Sequence, residues 1–176
     1  MMRRLHIGGI EKKEGWEILN IVPAPEVDHL GDARDLSRFS DHTFGEIYAS
    51  HVLEHMDYQN DILLNTLREW YRVLKPGGRL FISVPDLDIL ARLLLDKVRL
   101  NTEGRYFVMR MIFGGHMDEY DYHQVGLNLE ILAVFLTEAG FSRLTQVREF
   151  GLFEDDSLTR INGEMISLNV IVDKAP

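Results

Sequence analysis

Short apolar runs alternate with longer amphipathic stretches over the first half of the chain. Four runs have the length and composition of strands: residues 3–7, 17–21, 27–30 and 46–49. The stretch 59–74 has apolar side chains at helical spacing and ends at Pro76, whereas the run 79–84 is continuously apolar, as in a strand that is covered on both faces. This alternation predicts a parallel sheet with crossover helices and with 79–84 as a central strand.

The second half of the chain has a different order of elements. Its pattern predicts a helix at 88–101, an irregular segment with one helical turn or more at 104–124, a helix at 128–139, and strands at 142–150 and 166–172. In the last run apolar residues alternate with polar ones, which is typical of a half-exposed antiparallel strand. Residues 1–176 are therefore predicted to form a single domain with 104–126 as an insertion.

Composition narrows the class of protein. A chain of 176 residues, 45% of them hydrophobic, can bury one sizeable core. The absence of cysteine excludes disulfides and thiolate-bound metals, and no apolar stretch approaches the length of a membrane span or signal segment. The net charge of -9 argues against nucleic acid and membrane surfaces as partners. We expect a cytoplasmic protein.

Candidate binding residues follow the predicted parallel strands, where open α/β sheets bind ligands. Gly8 and Gly9 follow the first strand, and Asn20 ends the second. The two adjacent glycines do not form the three-glycine dinucleotide fingerprint, so an NAD-dependent oxidoreductase is the least favoured enzyme class. Asp32 stands in a turn, where its carboxylate could accept from an adenine amine or simply stabilise an Asx turn or helix cap.

Two longer stretches carry a family resemblance. GDARDLSRFSDHTFGEIYASHVLEHM (31–56) and LREWYRVLKPGGRLFISVPDL (67–87) resemble the class I S-adenosylmethionine-dependent methyltransferases, in particular the small type 11 proteins. The resemblance implies a three-layer Rossmann-like α/β sandwich with a mostly parallel seven-stranded sheet and an antiparallel last strand. We expect the fold to lack the helices that usually precede the first strand in that family.

The resemblance also implies S-adenosylmethionine as cofactor and a set of residues that bind it. By position these are Ile7, Gly8, Gly9, Asn20, Asp32, Ala33, Ser50, His51 and Val52. Relatives usually carry an Asp where this chain has Asn20. Because a carboxylate makes stronger, charge-assisted hydrogen bonds to a ribose diol than an amide does, we expect weaker cofactor binding here.

The segment 113–126, FGGHMDEYDYHQVG, supplies the candidates for catalysis. His123 or His116 could deprotonate a hydroxyl acceptor, with Asp118 or Asp121 orienting the imidazole. A polar surface loop is the simpler interpretation of any one of these histidines. No metal site is expected, because His116 and His123 lack compact helical spacing and no third histidine is near them.

These observations predict methyl transfer to a small-molecule or sugar-like acceptor. The alternative is a non-catalytic module of the same fold whose cofactor loop is degenerate. Without front helices the cofactor cleft would be more open than usual, so a second copy of the chain, in a homodimer, is one candidate to complete its lid.

Overall fold

The protein, described here by a computed structural model of residues 2–176, is built around one seven-stranded sheet. The strands are β1 (Arg4–Ile7), β2 (Trp16–Asn20), β3 (His29–Leu30), β4 (Phe44–Ser50), β5 (Leu74–Pro85), β6 (Ser142–Val147), β7 (Arg160–Ile161), β8 (Glu164–Met165) and β9 (Ser167–Asp173). The α-helices are α1 (Ile62–Val73), α2 (Leu87–Leu95), α3 (Thr102–Phe113) and α4 (Leu129–Glu138). Among residues 2–176, no helix is long and apolar enough to cross a membrane.

The order of strands in the sheet is β3-β2-β1-β4-β5-β9-β6. β1 to β5 run parallel, whereas β9 lies antiparallel between β5 and β6. β4 and the second half of β5 are buried on both faces, which explains their continuous apolar sequences. The predicted seven-stranded, mostly parallel sheet with an antiparallel last strand is confirmed.

One face of the sheet is covered by α1 and α4. α1 buries Leu63, Leu67 and Trp70 in the main core, together with Leu132 and Leu136 of α4. Burial of each such side chain stabilises the fold by roughly 1.5–3 kcal/mol. The helix begins after a 3₁₀ turn at Gln59–Asp61 and ends at Val73, where the chain turns through Pro76 and Gly77 into the paired part of β5.

The other face of the sheet packs against an aromatic cluster. Successive strand residues point to opposite faces, so Tyr48 of β4 faces this cluster while its neighbours Ile47 and Ala49 face the helices. The cluster consists of Trp16, Tyr48, Phe81 and Phe153, and Phe150 and Leu152 pack against it. Phe150, Leu152 and Phe153 all belong to the segment 148–157 that follows β6. Within residues 2–176 the first helical turn begins at Leu53.

Two local predictions about helices need correction. The sequence predicts a mostly irregular segment with one helical turn or more at 104–124. The structure has three helical turns in α3, and Asn101 caps its N-terminus, since Asn101 Oδ1 accepts from Gly104 N at 2.9 Å. Its helical period is obscure in the sequence because Val108 is its only buried residue. The predicted helix 88–101 ends at Leu95, where Asp96 accepts hydrogen bonds from the amides of the next turn.

The last strand is also more buried than its alternating sequence indicates. Ser167 and Asn169 lie on the polar side of β9, but only 7% and 1% of their surfaces are exposed. The segment 148–157 covers this side, and Asn169 Nδ2 donates to the carbonyls of Arg148 (2.9 Å) and Ser157 (3.0 Å). The prediction of a half-exposed strand is therefore wrong, because Ser167 Oγ and Asn169 Nδ2 find hydrogen-bond partners inside the protein.

Candidate active site

A cavity of about 600 Å³ opens at the carboxyl ends of β1, β2, β3 and β4. β1 lies between β2 and β4, so the chain changes direction across the sheet at this point, and ligands of open α/β sheets bind at such switch points. The cavity wall includes seven of the predicted cofactor residues: Ile7, Gly8, Asn20, Asp32, Ala33, His51 and Val52. Gly9 and Ser50 are not part of the wall.

The loop after β1 depends on its two glycines for different reasons. Gly8 has a φ of 78°, and a Cβ there would lie 2.7 Å from Val52 Cγ2 across the cavity floor. Gly9 lies behind the cavity, where a Cβ would overlap the buried ring of His6. Gly8 is therefore the glycine whose backbone forms part of the cavity wall, and Gly9 is required by packing.

Asn20 braces this loop. Its Nδ2 donates to the carbonyls of both Gly8 and Gly9 at 3.1 Å, and its Oδ1 accepts from Val22 N at 2.9 Å. An amide oxygen has two lone pairs, so Oδ1 keeps one acceptor position for a ligand hydroxyl.

The turn after β3 presents Asp32 and Ala33 to the cavity. Asp32 accepts hydrogen bonds from the backbone amide (2.8 Å) and from Nε (2.9 Å) of Arg34. Burial acts to raise the pKa of Asp32, but these hydrogen bonds outweigh it and hold the pKa below its usual value. The Ala33 carbonyl accepts from Trp70 Nε1 at 2.8 Å, which ties the turn to α1 in the core.

His51 and Val52 follow β4. His51 has a φ of 52°, uncommon for a residue other than glycine, and its backbone amide donates to the Ser83 carbonyl of the neighbouring β5 at 2.9 Å. The preceding Ser50 turns away from the cavity, and its Oγ lies 3.2 Å from Asp155 Oδ1. Strained backbone of this kind concentrates at ligand sites.

Four buried ionisable side chains lie close together here: His51 and His55 in the cavity wall, and Glu54 and His123 behind it. Burial lowers the pKa of both His51 and His123 to about 4, and it lowers the pKa of His55 as well. Burial also raises the pKa of Glu54 to about 8. His51 Nδ1 and Glu54 Oε1, 3.6 Å apart, therefore meet as neutral groups at pH 7 rather than as an ion pair.

The three predicted catalytic residues lie off the cavity wall. The His116 ring stacks on Tyr122 at 4.0 Å between ring centroids, and Asp118 accepts from the backbone amide of Tyr120 at 2.8 Å. His123 borders a second, smaller cavity together with Glu54. The prediction that these residues form a catalytic group at the site therefore has no support from their positions, because the loop uses His116 and Asp118 for its own structure.

Several wall residues are not predicted from the sequence. They are Leu19, Ile21, Val22, Gly31, Arg34, His55, Met56, Asp57, Ile62, Glu119, Tyr120, Tyr122 and Gln124. Ile21 and Val22 are exposed apolar residues directly after a strand, a signal that could have found them. The residues from 119 to 124 reach the cavity through long-range packing, for which no local signal exists: the amide of Gln124 donates to the Glu54 carbonyl at 2.7 Å.

Part of the chain matches a known family of sequences. Residues 18–82 match the sequence model of the type 11 methyltransferase-domain family. No curated protein matches the chain significantly.

Solved structures share the fold at low sequence identity. A methyltransferase from Archaeoglobus fulgidus described as SAM dependent aligns with a TM-score of 0.61 and 16% identity over 98% of this chain and 86% of its own. The 1,6-didemethyltoxoflavin-N1-methyltransferase of Burkholderia thailandensis, solved with 1,6-didemethyltoxoflavin and S-adenosylhomocysteine, aligns with a TM-score of 0.59 and 14% identity over 99% of this chain and 72% of its own. A possible exported protein from Bordetella parapertussis aligns with a TM-score of 0.61 and 14% identity over 99% of this chain, which spans 63% of its length.

Proposed function

We propose that the chain transfers a methyl group from S-adenosylmethionine to a small-molecule or sugar-like acceptor, because residues 18–82 match a methyltransferase-domain model and the chain shares its fold with a SAM-dependent methyltransferase. One observation carries the proposal. Residues that follow β1, β2, β3 and β4 converge on a single cavity of about 600 Å³ at the switch point of the sheet. This volume lies within the usual range of small-molecule and cofactor sites.

In this proposal the cofactor lies across the carboxyl ends of these strands. Gly8 allows close approach of the methionyl part, and the free lone pair of Asn20 Oδ1 accepts from a ribose hydroxyl. Asp32 accepts from the adenine amine. A carboxylate has about four acceptor positions. The backbone amide, Nε and Nη2 of Arg34 occupy about three of them, so Asp32 keeps about one for this donor.

S-adenosylmethionine supplies an activated methyl group, because its sulfonium sulfur is already a good leaving group. The chain must orient the acceptor nucleophile in line with the methyl carbon at about 3–3.5 Å and keep water away. Val52 and Met56 form an apolar part of the wall beside the end of β4, where the backbone of His51 has a positive φ. Most of the expected rate enhancement is therefore positional.

Acceptor binding is proposed for the side of the cavity that is lined by Glu119, Tyr120 and Tyr122. Tyrosine rings stack on planar ligands and on the apolar faces of sugars, and a carboxylate accepts hydrogen bonds from hydroxyl or amine groups. The toxoflavin methyltransferase, which has a similar fold, was solved with its small-molecule acceptor 1,6-didemethyltoxoflavin bound. Tyr122 is the proposed stacking residue, since the His116 ring supports its other face.

Calorimetry with S-adenosylhomocysteine, the demethylated product, tests the cofactor site. The wild-type chain should bind it and should not bind NAD. Asp32→Ala should weaken binding by about 10-fold or more, since hydrogen bonds to charged groups contribute roughly 1.5–3 kcal/mol. Asp35→Ala is the matched control, because Asp35 stabilises a similar turn through Ser37 N at 2.9 Å but lies off the cavity wall.

Three results would contradict parts of the proposal. Equal affinity of wild type and Asp32→Ala would remove Asp32 from the adenine site. Affinity for NAD alone would point to an oxidoreductase. Binding of S-adenosylhomocysteine without transfer of labelled methyl groups to any member of a metabolite pool would leave the non-catalytic module as the function.

A further inference from the structure

Three side chains with metal-ligating atoms meet in the wall between the two cavities. Glu54, His55 and His123 each offer one such atom, and the three atoms lie within 4.8 Å of one another. His55 lines the large cavity, whereas Glu54 and His123 line a small cavity of about 10 Å³. A space of this size has room for about one water-sized particle.

The Glu54 carboxylate lacks the partners that a buried acid requires. Only 2% of its surface is exposed, and neither side-chain oxygen has a hydrogen-bond partner within residues 2–176. Buried polar groups are nearly always satisfied, and buried charges are paired or bound to a metal. The two unpartnered oxygens of Glu54 are therefore free to bind a cation, which would stabilise the ionised carboxylate over the neutral form that burial favours.

The hydrogen bonds of two neighbouring histidines leave lone pairs free. His55 Nδ1 lies 3.1 Å from the Tyr122 carbonyl, which can only accept, so Nδ1 carries the proton and Nε2 keeps its lone pair. Ser167 Oγ donates to the Asp156 carbonyl at 2.8 Å and thus accepts from His51 Nε2 at 3.0 Å. His51 Nδ1 therefore directs a lone pair at Glu54 Oε1, 3.6 Å away and beyond hydrogen-bonding range.

We propose that Glu54, His55 and His123 bind a divalent transition-metal ion. The chemistry of this donor set favours Zn²⁺. Two imidazoles and one carboxylate match a common zinc ligand set, in which a fourth position stays open. The hydrogen bond from His55 Nδ1 to a backbone carbonyl is the outer contact that metal-bound histidines usually make. His51 Nδ1, beside Glu54, is available as a fourth donor.

The three ligand atoms need to move only slightly to enclose the ion. Zinc bonds of about 2.0–2.2 Å place tetrahedral ligand atoms roughly 3.3 Å apart, so side-chain rotations that close the group by about 1–1.5 Å complete the site. No metal site is predicted from the sequence, because the spacing of two histidines indicates a shared metal only when both lie in one local segment, and His116 and His123 lack such a spacing. The fold adds Glu54 and His55 from the turn after β4.

Metal titration tests this site without any assay of methyl transfer. The tag-free chain, stripped with EDTA, should bind one equivalent of Zn²⁺ in competition with a chromophoric chelator. The Co²⁺ form should show the intense visible bands of a tetrahedral nitrogen and oxygen site. Glu54→Gln and His123→Gln should each weaken Zn²⁺ binding by more than 100-fold, whereas His116→Gln, a histidine of the same segment outside the group, should leave it unchanged.

Two outcomes would overturn the proposal: no stoichiometric binding by the wild-type chain, or equal affinity in Glu54→Gln and wild type. The wild-type Co²⁺ spectrum tests the site even if His123→Gln does not fold. Calorimetry with S-adenosylhomocysteine, with and without Zn²⁺, reports on the cofactor site alone. Its result therefore distinguishes a failure of the metal site from a failure of the proposed methyl transfer.

Discussion

At the scale of single residues, the cavity wall is held in place by hydrogen bonds within the protein. Asn20 fixes the loop after β1 through the carbonyls of Gly8 and Gly9, and Arg34 fixes Asp32 in its turn. These bonds order the wall before a ligand binds, which lowers the entropy lost on binding. A change at Asn20 or Arg34 should therefore affect the wall as well as the ligand.

The buried imidazole of His6 makes the stability of the fold depend on pH. Only 4% of its surface is exposed, and burial lowers its pKa from 6.5 to about 4, while the charge of Asp155 opposes this effect only in part. Below pH 6.5 the unfolded chain binds a proton that the folded chain refuses until about pH 4. The free energy of unfolding should therefore fall between these two pH values, by up to about 3 kcal/mol from this residue.

A His6→Phe variant tests this pH dependence. Urea unfolding of both proteins near pH 7 and near pH 4.5 should show a smaller loss of stability in the variant, because phenylalanine does not titrate. The other buried histidines contribute equally to both proteins. If both proteins lose the same free energy over this range, His6 is not a source of the acid sensitivity.

At the scale of elements, the segment 148–157 covers the face of the sheet that lies opposite α1 and α4. Phe153 is its central side chain: the centroid of its ring lies 4.1 Å from that of His6, 4.8 Å from that of Tyr48 and 5.4 Å from that of Trp16. Asp155 anchors the far end of the segment, since Tyr48 Oη donates to its carboxylate at 2.8 Å. An irregular segment therefore supplies hydrophobic contacts that cover this face.

Removal of the Phe153 ring should destabilise the fold strongly. Phe153 is 5% exposed, and large-to-small changes at such positions cost about 3–5 kcal/mol. Phe153→Ala should show this loss in urea unfolding, whereas Tyr106→Ala, at a side chain on α3 that is 61% exposed, should change stability by less than about 0.5 kcal/mol. A small effect at Phe153 would mean that the segment 148–157 does not belong to the core.

Helix α1 links the core to the cavity through Trp70. Its indole Nε1 donates to the Ala33 carbonyl at 2.8 Å, so a Trp70→Phe variant loses the bond that positions the Asp32 turn. Calorimetry should show affinity for S-adenosylhomocysteine reduced by roughly 3- to 10-fold, as expected for one hydrogen bond of about 0.5–1.5 kcal/mol.

Val73→Ala is the control for Trp70→Phe. Val73 is also fully buried in α1 but lies at the end of the helix, so its truncation should lower stability and leave ligand affinity unchanged. Equal loss of affinity in the two variants would attribute the effect of Trp70→Phe to general destabilisation.

At the scale of the whole molecule, ligand binding at the sheet edge should stabilise the entire domain. The cavity draws its wall from the ends of β1 to β4 and from residues near α4, so unfolding destroys it. S-adenosylhomocysteine at about 100 times its Kd should add about 2.7 kcal/mol to the free energy of unfolding. For a domain of this size that corresponds to a rise in Tm of roughly 5–10 °C, measurable by calorimetry.

The same experiment with Asp32→Ala at the same ligand concentration should give a smaller rise in Tm. A rise in Tm that is equal in wild type and variant would show that the ligand binds elsewhere.

The sequence by itself determined the parallel sheet, the helices α1 and α4, the turn at Gly77 and the positions after β1 to β4 that reach the cavity. Each of these depends on a local pattern, such as apolar periodicity, a proline after a helix, or a glycine at a turn. The alternation of apolar and polar residues in 166–172 also indicated the antiparallel last strand, and family resemblance added the seven-stranded sandwich and the methyl donor.

Only the tertiary structure decided which distant side chains meet. The burial of β9, the cover of the aromatic cluster by Phe153, and the group formed by Glu54, His55 and His123 all depend on packing between segments far apart in the chain. The same packing places His123, predicted to be catalytic, behind the cavity wall. Local periodicity records which face of an element is apolar, but it carries no information about which partner covers that face.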